Sequence, residues 1–170
     1  MGRMKTAVMA GVATCVLCAT AQAGGVLHYP GELYAAGMQC LTGNGAEQNP
    51  YRAMQMFEKA AARGSAEAEK AIGLMYLRGI GVEEDAGEGA RWLRQAAEHG
   101  DIEAQVIYAD LCLNGTGVDL DITQAYMWYK VVVTRGEHKA VDSLRWVSRE
   151  MSEDDIRKAE EMAREQLEYR

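Results

Sequence analysis

Apolar and polar positions recur along the chain with a fixed period of 36 residues. The apolar columns of the repeat are Met56, Trp92 and Trp128, followed four residues later by the pairs Ala60-Ala61, Ala96-Ala97 and Val132-Val133. A polar column precedes them at Asn49, Asp85 and Asp121. A fixed period between 20 and 50 residues is typical of solenoids, in which similar units stack side by side. The pattern therefore predicts a repeat protein.

Glycines and capping residues divide each unit into two helices. Asn49, Asp85 and Asp121 suit the N-cap, whose side-chain oxygen accepts a hydrogen bond from a free backbone N–H, and Glu88 resembles the second half of a capping box. Three glycine columns repeat with the same step: Gly43, Gly79, Gly115; Gly45, Gly81, Gly117; and Gly64, Gly100, Gly136. The third of these columns suits the left-handed backbone position just after the end of a helix. The predicted helices span about 31–42, 50–63, 66–78, 86–99, 102–114, 122–135, 138–150 and 153–169.

One helical pair cannot bury its apolar face alone, so neighbouring units must complete the core. We expect an all-α fold, a solenoid of about three 36-residue helix-turn-helix repeats with a terminal pair, over residues 31–151. The last segment, 152–170, reads as a charged amphipathic helix that caps the end of the stack.

The N-terminus has the layout of a secretory signal peptide. Arg3 and Lys5 precede an apolar run from about Ala7 to Ala19, and Ala21-Gln22-Ala23 has the small-x-small pattern of a cleavage site. The run is shorter than the roughly 20 residues that a spanning helix needs, and an uncleaved anchor is the alternative. We expect cleavage after Ala23, with 24–30 as a flexible N-terminus, and a periplasmic or secreted protein.

Charge narrows the choice of partner. The chain has 18 basic and 25 acidic side chains, a net charge of −7. Removing the leader with its two cations makes the remainder more negative still. Such a chain is repelled by phosphate backbones, so we do not expect it to bind nucleic acid.

The second unit resembles the Sel-one-like repeat, a 36-residue relative of the tetratricopeptide repeat. The residues that carry the resemblance are Ile72-Gly73, Tyr76, Gly79, Gly81-Val82, Asp85, Trp92, Ala96-Ala97 and Gly100, and the third unit keeps Gly115, Gly117-Val118, Asp121, Ala125, Trp128 and Gly136. The departures are Cys40 and Cys112 in the column of Tyr76, Gly89 where the family prefers alanine, and Val132-Val133 for the alanine pair. The resemblance covers roughly residues 31–150. It implies a right-handed α-α superhelix that offers an adaptor surface to other proteins, often in the bacterial envelope.

The resemblance also implies that the first helix of each pair lines a concave face. The residues that we expect to contact a protein or peptide partner there are Tyr34, Met38, Lys70, Leu74, Arg78, Val106, Asp110, Asn114 and Trp146. Leucines at helical spacing are also ordinary packing residues, and Trp146 is open to a second reading, in which the terminal helix covers it. A solvated face is the alternative for the polar members of the set.

The sequence offers no recognisable catalytic or cofactor motif. The three histidines are far apart in sequence, and His99 suits the last turn of a helix as a cap. No serine is followed three residues later by lysine, as serine β-lactamases require, although some secreted relatives have been linked to penicillin binding. We therefore expect no enzyme, no metal and no cofactor, with a hydrolase acting on cell-wall or β-lactam compounds as the alternative.

Cys40 and Cys112 are the two cysteines outside the leader, and they occupy the same column two repeats apart. Packed helices lie about 8–10 Å apart, which places these residues roughly 20 Å from each other, whereas a disulfide needs Cα atoms within about 7 Å. We expect two buried free thiols and no disulfide.

Overall fold

The structure, a computed structural model, describes residues 29–45 and 47–168; the expected leader and most of the expected flexible N-terminus lie outside these ranges. The described residues form eight α-helices and one short 3-10 turn, with no β-strand. The helices are α1 (Pro30–Thr42), α2 (Pro50–Ala61), α3 (Ala66–Arg78), α4 (Ala86–Glu98), α5 (Ile102–Asn114), α6 (Ile122–Thr134), α7 (Val141–Glu150) and α8 (Glu153–Glu168). The 3-10 turn, His138–Ala140, leads into α7. The all-α solenoid is confirmed, and most helix ends lie within two residues of the predicted ones.

Polar caps start the helices where the sequence places them. The side chains of Asn49, Asp85 and Asp121 each accept a hydrogen bond from the backbone N–H three residues later. The capping box expected at Glu88 is not formed, because the backbone N–H of Asp85 donates to the carbonyl oxygen of Tyr76 at 3.0 Å and the carboxylate of Glu88 pairs with Arg91 at 2.7 Å.

Within the second unit, the two helices pack closely because a glycine on each helix faces a leucine on the other. A Cβ on Gly73 would lie 2.7 Å from Leu93 and 2.9 Å from the carbonyl oxygen of Gly89. Gly89, which departs from the family's alanine, faces Gly73 and Leu77 just as closely. The two glycines therefore let α3 and α4 approach each other more closely than side chains at these positions would permit.

Between units, the glycine loop of one unit lies against the first turn of the second helix of the preceding unit. A Cβ on Gly81 would lie 2.8 Å from Pro50, and a Cβ on Gly117 would overlap the carbonyl oxygen of Ala86. Both contacts are related by the same step of 36 residues, so the stacking geometry repeats along with the sequence.

The apolar core has two clusters. The first joins α1, α2 and α3 around the buried Phe57 and Ile72, and the second joins α4 to α8 around the buried Leu93, Tyr129 and Val147. The terminal helices cap the stack separately, because α7 and α8 both pack against α6 and make few contacts with each other.

Candidate partner-binding face

The predicted partner-binding residues fall into three rows that cross α1, α3, α5 and α7, the first helices of the four units. We call these the first-helix rows. With Thr42, Asp142 and Glu150 at the remaining positions of the 36-residue register, the rows are Tyr34, Lys70, Val106, Asp142; Met38, Leu74, Asp110, Trp146; and Thr42, Arg78, Asn114, Glu150. The register holds into the last unit, because Ala68, Ala104 and Ala140, one step apart, are all fully buried. In the first two rows exposure rises toward the C-terminal end, where Asp110, Asp142 and Trp146 are exposed, whereas the third row is exposed throughout.

Four apolar row members, from α1, α3 and α5, are half-buried. The ring of Tyr34 lies 5.6 Å from that of Phe57, and Met38 packs against the first core cluster. Val106 packs against the second cluster. Leu74, also half-buried, belongs to neither core cluster. Leu74 is therefore the apolar row member whose position the core explains least.

Lys70 is engaged within the chain. Its Nζ lies 2.9 Å from Asp101 and 2.8 Å from Glu103 at the start of α5, and its side chain is 15% exposed. Burial is the largest single influence on Lys70 and lowers its pKa, but the hydrogen bonds and charges of the two carboxylates together outweigh it, so the pKa is raised. The position of Lys70 in the rows is thus explained by a contact within the chain, an ion pair that joins the second and third units.

The last-turn row members are exposed, and two of them bond to their own helices. Thr42 Oγ1 donates to the carbonyl oxygen of Met38 at 2.8 Å, and Asn114 Nδ2 donates to that of Asp110 at 2.9 Å. Arg78 occupies the same column in α3, where a cation interacts favourably with the C-terminal end of the helix dipole.

Asp110 is held by a tyrosine from the neighbouring second helix. The hydroxyl of Tyr129, a buried residue of α6, donates a short hydrogen bond to Asp110 Oδ1. Burial, followed by this bond, raises the pKa of Tyr129, while a bond from Ser143 of α7 acts in the opposite direction. Tyr129 therefore connects the exposed carboxylate of α5 to the buried side of α6.

Trp146 is 54% exposed. The terminal helix does not cover it, because α8 packs against α6 rather than α7. By contrast, Trp128 is buried in the core edge-to-face with Tyr108, and Trp92 is half-buried with Arg91 4.9 Å from its ring. Of the three indoles, Trp146 is the one available to a partner.

A buried acidic group went unrecognised in the sequence. Glu69 is fully buried in α3, where its carboxyl oxygens accept from Gln95 Nε2 at 2.8 Å and lie 2.8 and 3.0 Å from His99 Nδ1. His99 is the C-cap of α4, as expected, but it is not isolated. The sequence signal that points to this position is the repeat column, because the residue one step later is also polar, Gln105. In the structure Gln105 is likewise buried, and it donates to the carbonyl oxygen of Ala97.

Cys40 and Cys112 are both buried, and neither takes part in a disulfide. Burial raises the pKa of Cys112, and burial together with Cys112 raises that of Tyr108 to about 12. A raised thiol pKa opposes thiolate formation and therefore reactivity.

An open cavity of about 310 Å³ lies between α4, α6 and α8, away from the first-helix rows. It is lined by Arg94, Glu98, Gln124, Met127, Trp128, Met162, Glu165 and Gln166. The described parts of the chain hold no group of three or more His, Cys, Asp or Glu side chains placed to bind a metal ion. Among the described helices, none has the length and apolar character needed to cross a bilayer.

The repeat geometry agrees with one protein family. The model of the Sel1 repeat matches residues 33–65, 66–101 and 102–130, more than half of the chain. The chain belongs to the Sel1 repeat family. This is the Sel-one-like repeat expected from the glycine and capping columns, and proteins with this fold are typically adaptors between other proteins.

Solved Sel1-type structures support the same assignment. A protective antigen of uropathogenic Escherichia coli strains with an SLR fold aligns at TM-score 0.78 and 25% identity, over 91% of this chain and 32% of that chain. A Sel1 repeat protein from Oxalobacter formigenes aligns at TM-score 0.65 and 29% identity, over 76% and 95%. Cysteine rich protein B of Helicobacter pylori aligns at TM-score 0.61 and 22% identity, over 77% and 96%, a likeness of fold.

The chain thus spans about a third of the Escherichia coli protein and nearly all of the other two. The search of curated proteins gives no match.

Proposed function

We propose that this Sel1 repeat protein is a non-enzymatic adaptor of the bacterial envelope that binds a protein or peptide along its first-helix rows. The observation that carries the proposal is that two apolar side chains in these rows, those of Leu74 and Trp146, are not used by the core. Leu74 belongs to neither core cluster, and Trp146 exposes more than half of its surface.

Such residues suit a binding face because a few buried anchors supply most of the energy of an interface. Tryptophan, tyrosine and arginine are enriched among these anchors, and the rows contain one of each in Trp146, Tyr34 and Arg78. A solenoid also presents such residues at regular intervals along an extended surface. A partner in extended or helical form could contact several units at once.

The envelope location rests on the N-terminal leader sequence, with its two cations, apolar run and cleavage pattern. The bacterial source of the structural neighbours agrees with it. Fusion of residues 1–28 to a reporter enzyme that is active only outside the cytoplasm tests this part of the proposal. An inactive reporter would contradict it.

A hydrolase of cell-wall or β-lactam compounds gains little support from the serines. Ser65 accepts as the N-cap of α3, Ser148 donates to the carbonyl oxygen of Arg145, and Ser152 bonds Asp155. Each of these hydroxyls therefore has a local structural role. Failure of the purified chain to hydrolyse a chromogenic cephalosporin is the expected result.

Site-specific photocrosslinking in the native envelope tests the binding face directly. A photoreactive phenylalanine analogue at Leu74 or Asn114 is expected to give a discrete adduct with another protein. The same analogue at Tyr51, a 65% exposed residue of α2 outside the rows, is the matched control and is expected to give none. Adducts from Tyr51 alone would place the interface elsewhere and refute the proposal.

A further inference from the structure

The cavity between α4, α6 and α8 combines apolar side chains with a polar edge. We call it the Trp128 cavity. Of its lining residues, Met127 and Trp128 of α6 are buried, and Met162 of α8 is half-buried. The remaining lining residues are polar and are half-buried or exposed. Apolar side chains accompanied by a few polar groups are typical of ligand-binding cavities.

Trp128 has a buried donor that the fold does not use. The residue is 2% exposed, and its indole Nε1 has no hydrogen-bond partner among the described residues. Gln39 Oε1 and Gln105 Oε1 are also buried without a partner there, but neither residue lines the cavity. An indole N–H only donates, and a buried donor without an acceptor is costly. Whereas Trp146 exposes its ring, Trp128 therefore offers an acceptor its N–H.

The charges at the edge of the cavity disfavour an anionic acceptor. Arg94 is the one cation among the lining residues, and its Nε lies 3.6 Å from Glu98 on the same helix. Glu165, an exposed residue of α8, adds a second carboxylate. Two negative charges thus face one positive charge, so a neutral acceptor such as a carbonyl oxygen fits Trp128 better than a carboxylate.

The other lining residues match an apolar residue of a peptide. Gln124 of α6 and Gln166 of α8 are half-buried, and each amide offers both a donor and an acceptor, which a main-chain peptide group can pair with. Met127 and Met162 are flexible and polarisable, and can adapt to apolar side chains of different shapes. The volume of about 310 Å³ is near the lower end for ligand sites, which suits one residue rather than a long segment.

We propose that the Trp128 cavity binds one apolar residue of a peptide. The apolar side chain lies against Met127 and Met162, and a neighbouring main-chain carbonyl oxygen accepts a hydrogen bond from Trp128 Nε1. The site lies between the second helices of the units, away from the first-helix rows. It therefore goes beyond the proposed function and can be tested separately from it.

Nuclear magnetic resonance of the isotope-labelled chain observes the donor directly, because each of the three tryptophans gives one indole N–H signal. The probe is N-acetylleucinamide, a leucine residue between two peptide groups. We expect the indole proton signal of Trp128 to move downfield and to saturate as the probe is added. The signals of Trp92 and Trp146 are expected to stay in place, and single Trp→Phe variants assign the three signals.

Variants of the chain localise the binding, measured from the backbone signals of α8. Trp128→Phe keeps an aromatic ring and removes the donor, and is expected to weaken binding of the probe about tenfold. Because this variant changes a core residue, Gln124→Ala with Gln166→Ala tests the edge of the cavity separately, with an expected loss of about fivefold. Gln55→Ala, at a half-buried glutamine of α2, is the matched control and is expected to change the affinity by less than about twofold.

Two related compounds test the chemistry of the ligand. N-acetylglycinamide lacks the apolar side chain, and N-acetylleucine replaces one peptide group by a carboxylate. Each is expected to bind at least about fivefold more weakly than the probe. Tighter binding of N-acetylleucine would overturn the neutral acceptor and with it the proposal.

A Trp128 signal that does not move with N-acetylleucinamide, or equal movement of all three indole signals, would also overturn the proposal. None of these measurements involves the first-helix rows. Crosslinking at Leu74 and Asn114 therefore tests the adaptor face independently of the Trp128 cavity.

Discussion

Glu69 shows, at the scale of one residue, how a repeat position acquires a new set of partners. Gln105, its equivalent one unit later, donates to a backbone carbonyl, whereas Glu69 accepts from Gln95 and lies against His99. A buried acceptor that loses a donor costs about 1–3 kcal/mol. The identity of residue 69 is therefore coupled to that of residue 99.

A double-mutant cycle tests this coupling. His99→Ala is expected to destabilise the wild-type chain by about 1–3 kcal/mol, and to cost about 1 kcal/mol less in a Glu69→Gln background, because a neutral amide depends less on the lost donor. Urea denaturation followed by circular dichroism gives both values. His138→Ala, at an exposed histidine, is the control and is expected to have almost no effect. Additive free energies would contradict the coupling.

Tyr108 gives a second residue-scale prediction, on the alkaline side. Burial raises its pKa from an ordinary value near 10 to about 12, so the unfolded chain releases the phenolic proton first. The contribution of this group to stability is complete below pH 10 and is lost as the pH rises toward 12. The free energy of unfolding should therefore fall between these values.

Tyr108→Phe is expected to make this fall shallower, as measured by urea midpoints at pH 8, 10 and 11. The buried Tyr126 and Tyr129, whose pKa values are also raised, keep part of the pH dependence in the variant. Tyr51→Phe, at an exposed tyrosine, should leave the slope unchanged. Equal slopes for Tyr108→Phe and the wild type would refute the prediction.

At the scale of elements, stacking of the units depends on glycines in the loops between helices. Gly117 has a positive φ of 70° and lies against the carbonyl oxygen of Ala86, whereas Gly136 has a φ of 87° and no atom within 4 Å of its missing Cβ. Alanine at either position suffers the same backbone strain, about 1–2 kcal/mol. Only alanine at 117 would also push two units apart.

Comparing Gly117→Ala with Gly136→Ala therefore isolates the contact between units from the backbone strain. We expect Gly117→Ala to be less stable than Gly136→Ala by a further 1–3 kcal/mol or so, the usual cost of overpacking. Thermal and urea unfolding of both variants measure the difference. Equal losses would mean that the loops determine stability through their conformation alone.

At the scale of the whole molecule, the sequence predicts most of what the repeat controls. The columns of Asn49, Asp85 and Asp121 and the loop glycines fix the helices and their order, because caps and turns act over a few residues. Contacts outside the columns were not predictable in the same way. The packing of α8 against α6 and the pair of Glu69 with His99 depend on tertiary geometry between residues far apart in sequence, 30 residues in the case of Glu69 and His99.

The same distinction applies to the first-helix rows. The 36-residue register predicts which residues share a row, but not which of them the fold uses internally. Lys70 is bound by two carboxylates at the start of α5, and neither charge pattern nor column reveals this. Trp146 is exposed because α8 packs against α6 rather than against α7, an arrangement that no repeat column describes.

The two core clusters predict that the ends of the solenoid unfold separately. Phe57 belongs to the cluster of α1, α2 and α3 and fills the space left by Gly37, whose missing Cβ would lie 2.5 Å from its ring. Phe57→Ala removes this contact at a cost of about 3–5 kcal/mol. Because each unit of a solenoid contacts only its neighbours, most of that loss should stay in the first unit.

Hydrogen exchange measured by mass spectrometry can locate the loss. In Phe57→Ala we expect faster exchange in α1 and α2, with α5 and α6 nearly unchanged, since their core lies in the other cluster. The reciprocal variant, Val147→Ala, is expected to accelerate exchange in α7 while leaving α1 and α2 protected. Uniform acceleration over all helices in either variant would show that the chain unfolds as one cooperative unit, with the two clusters acting as a single core.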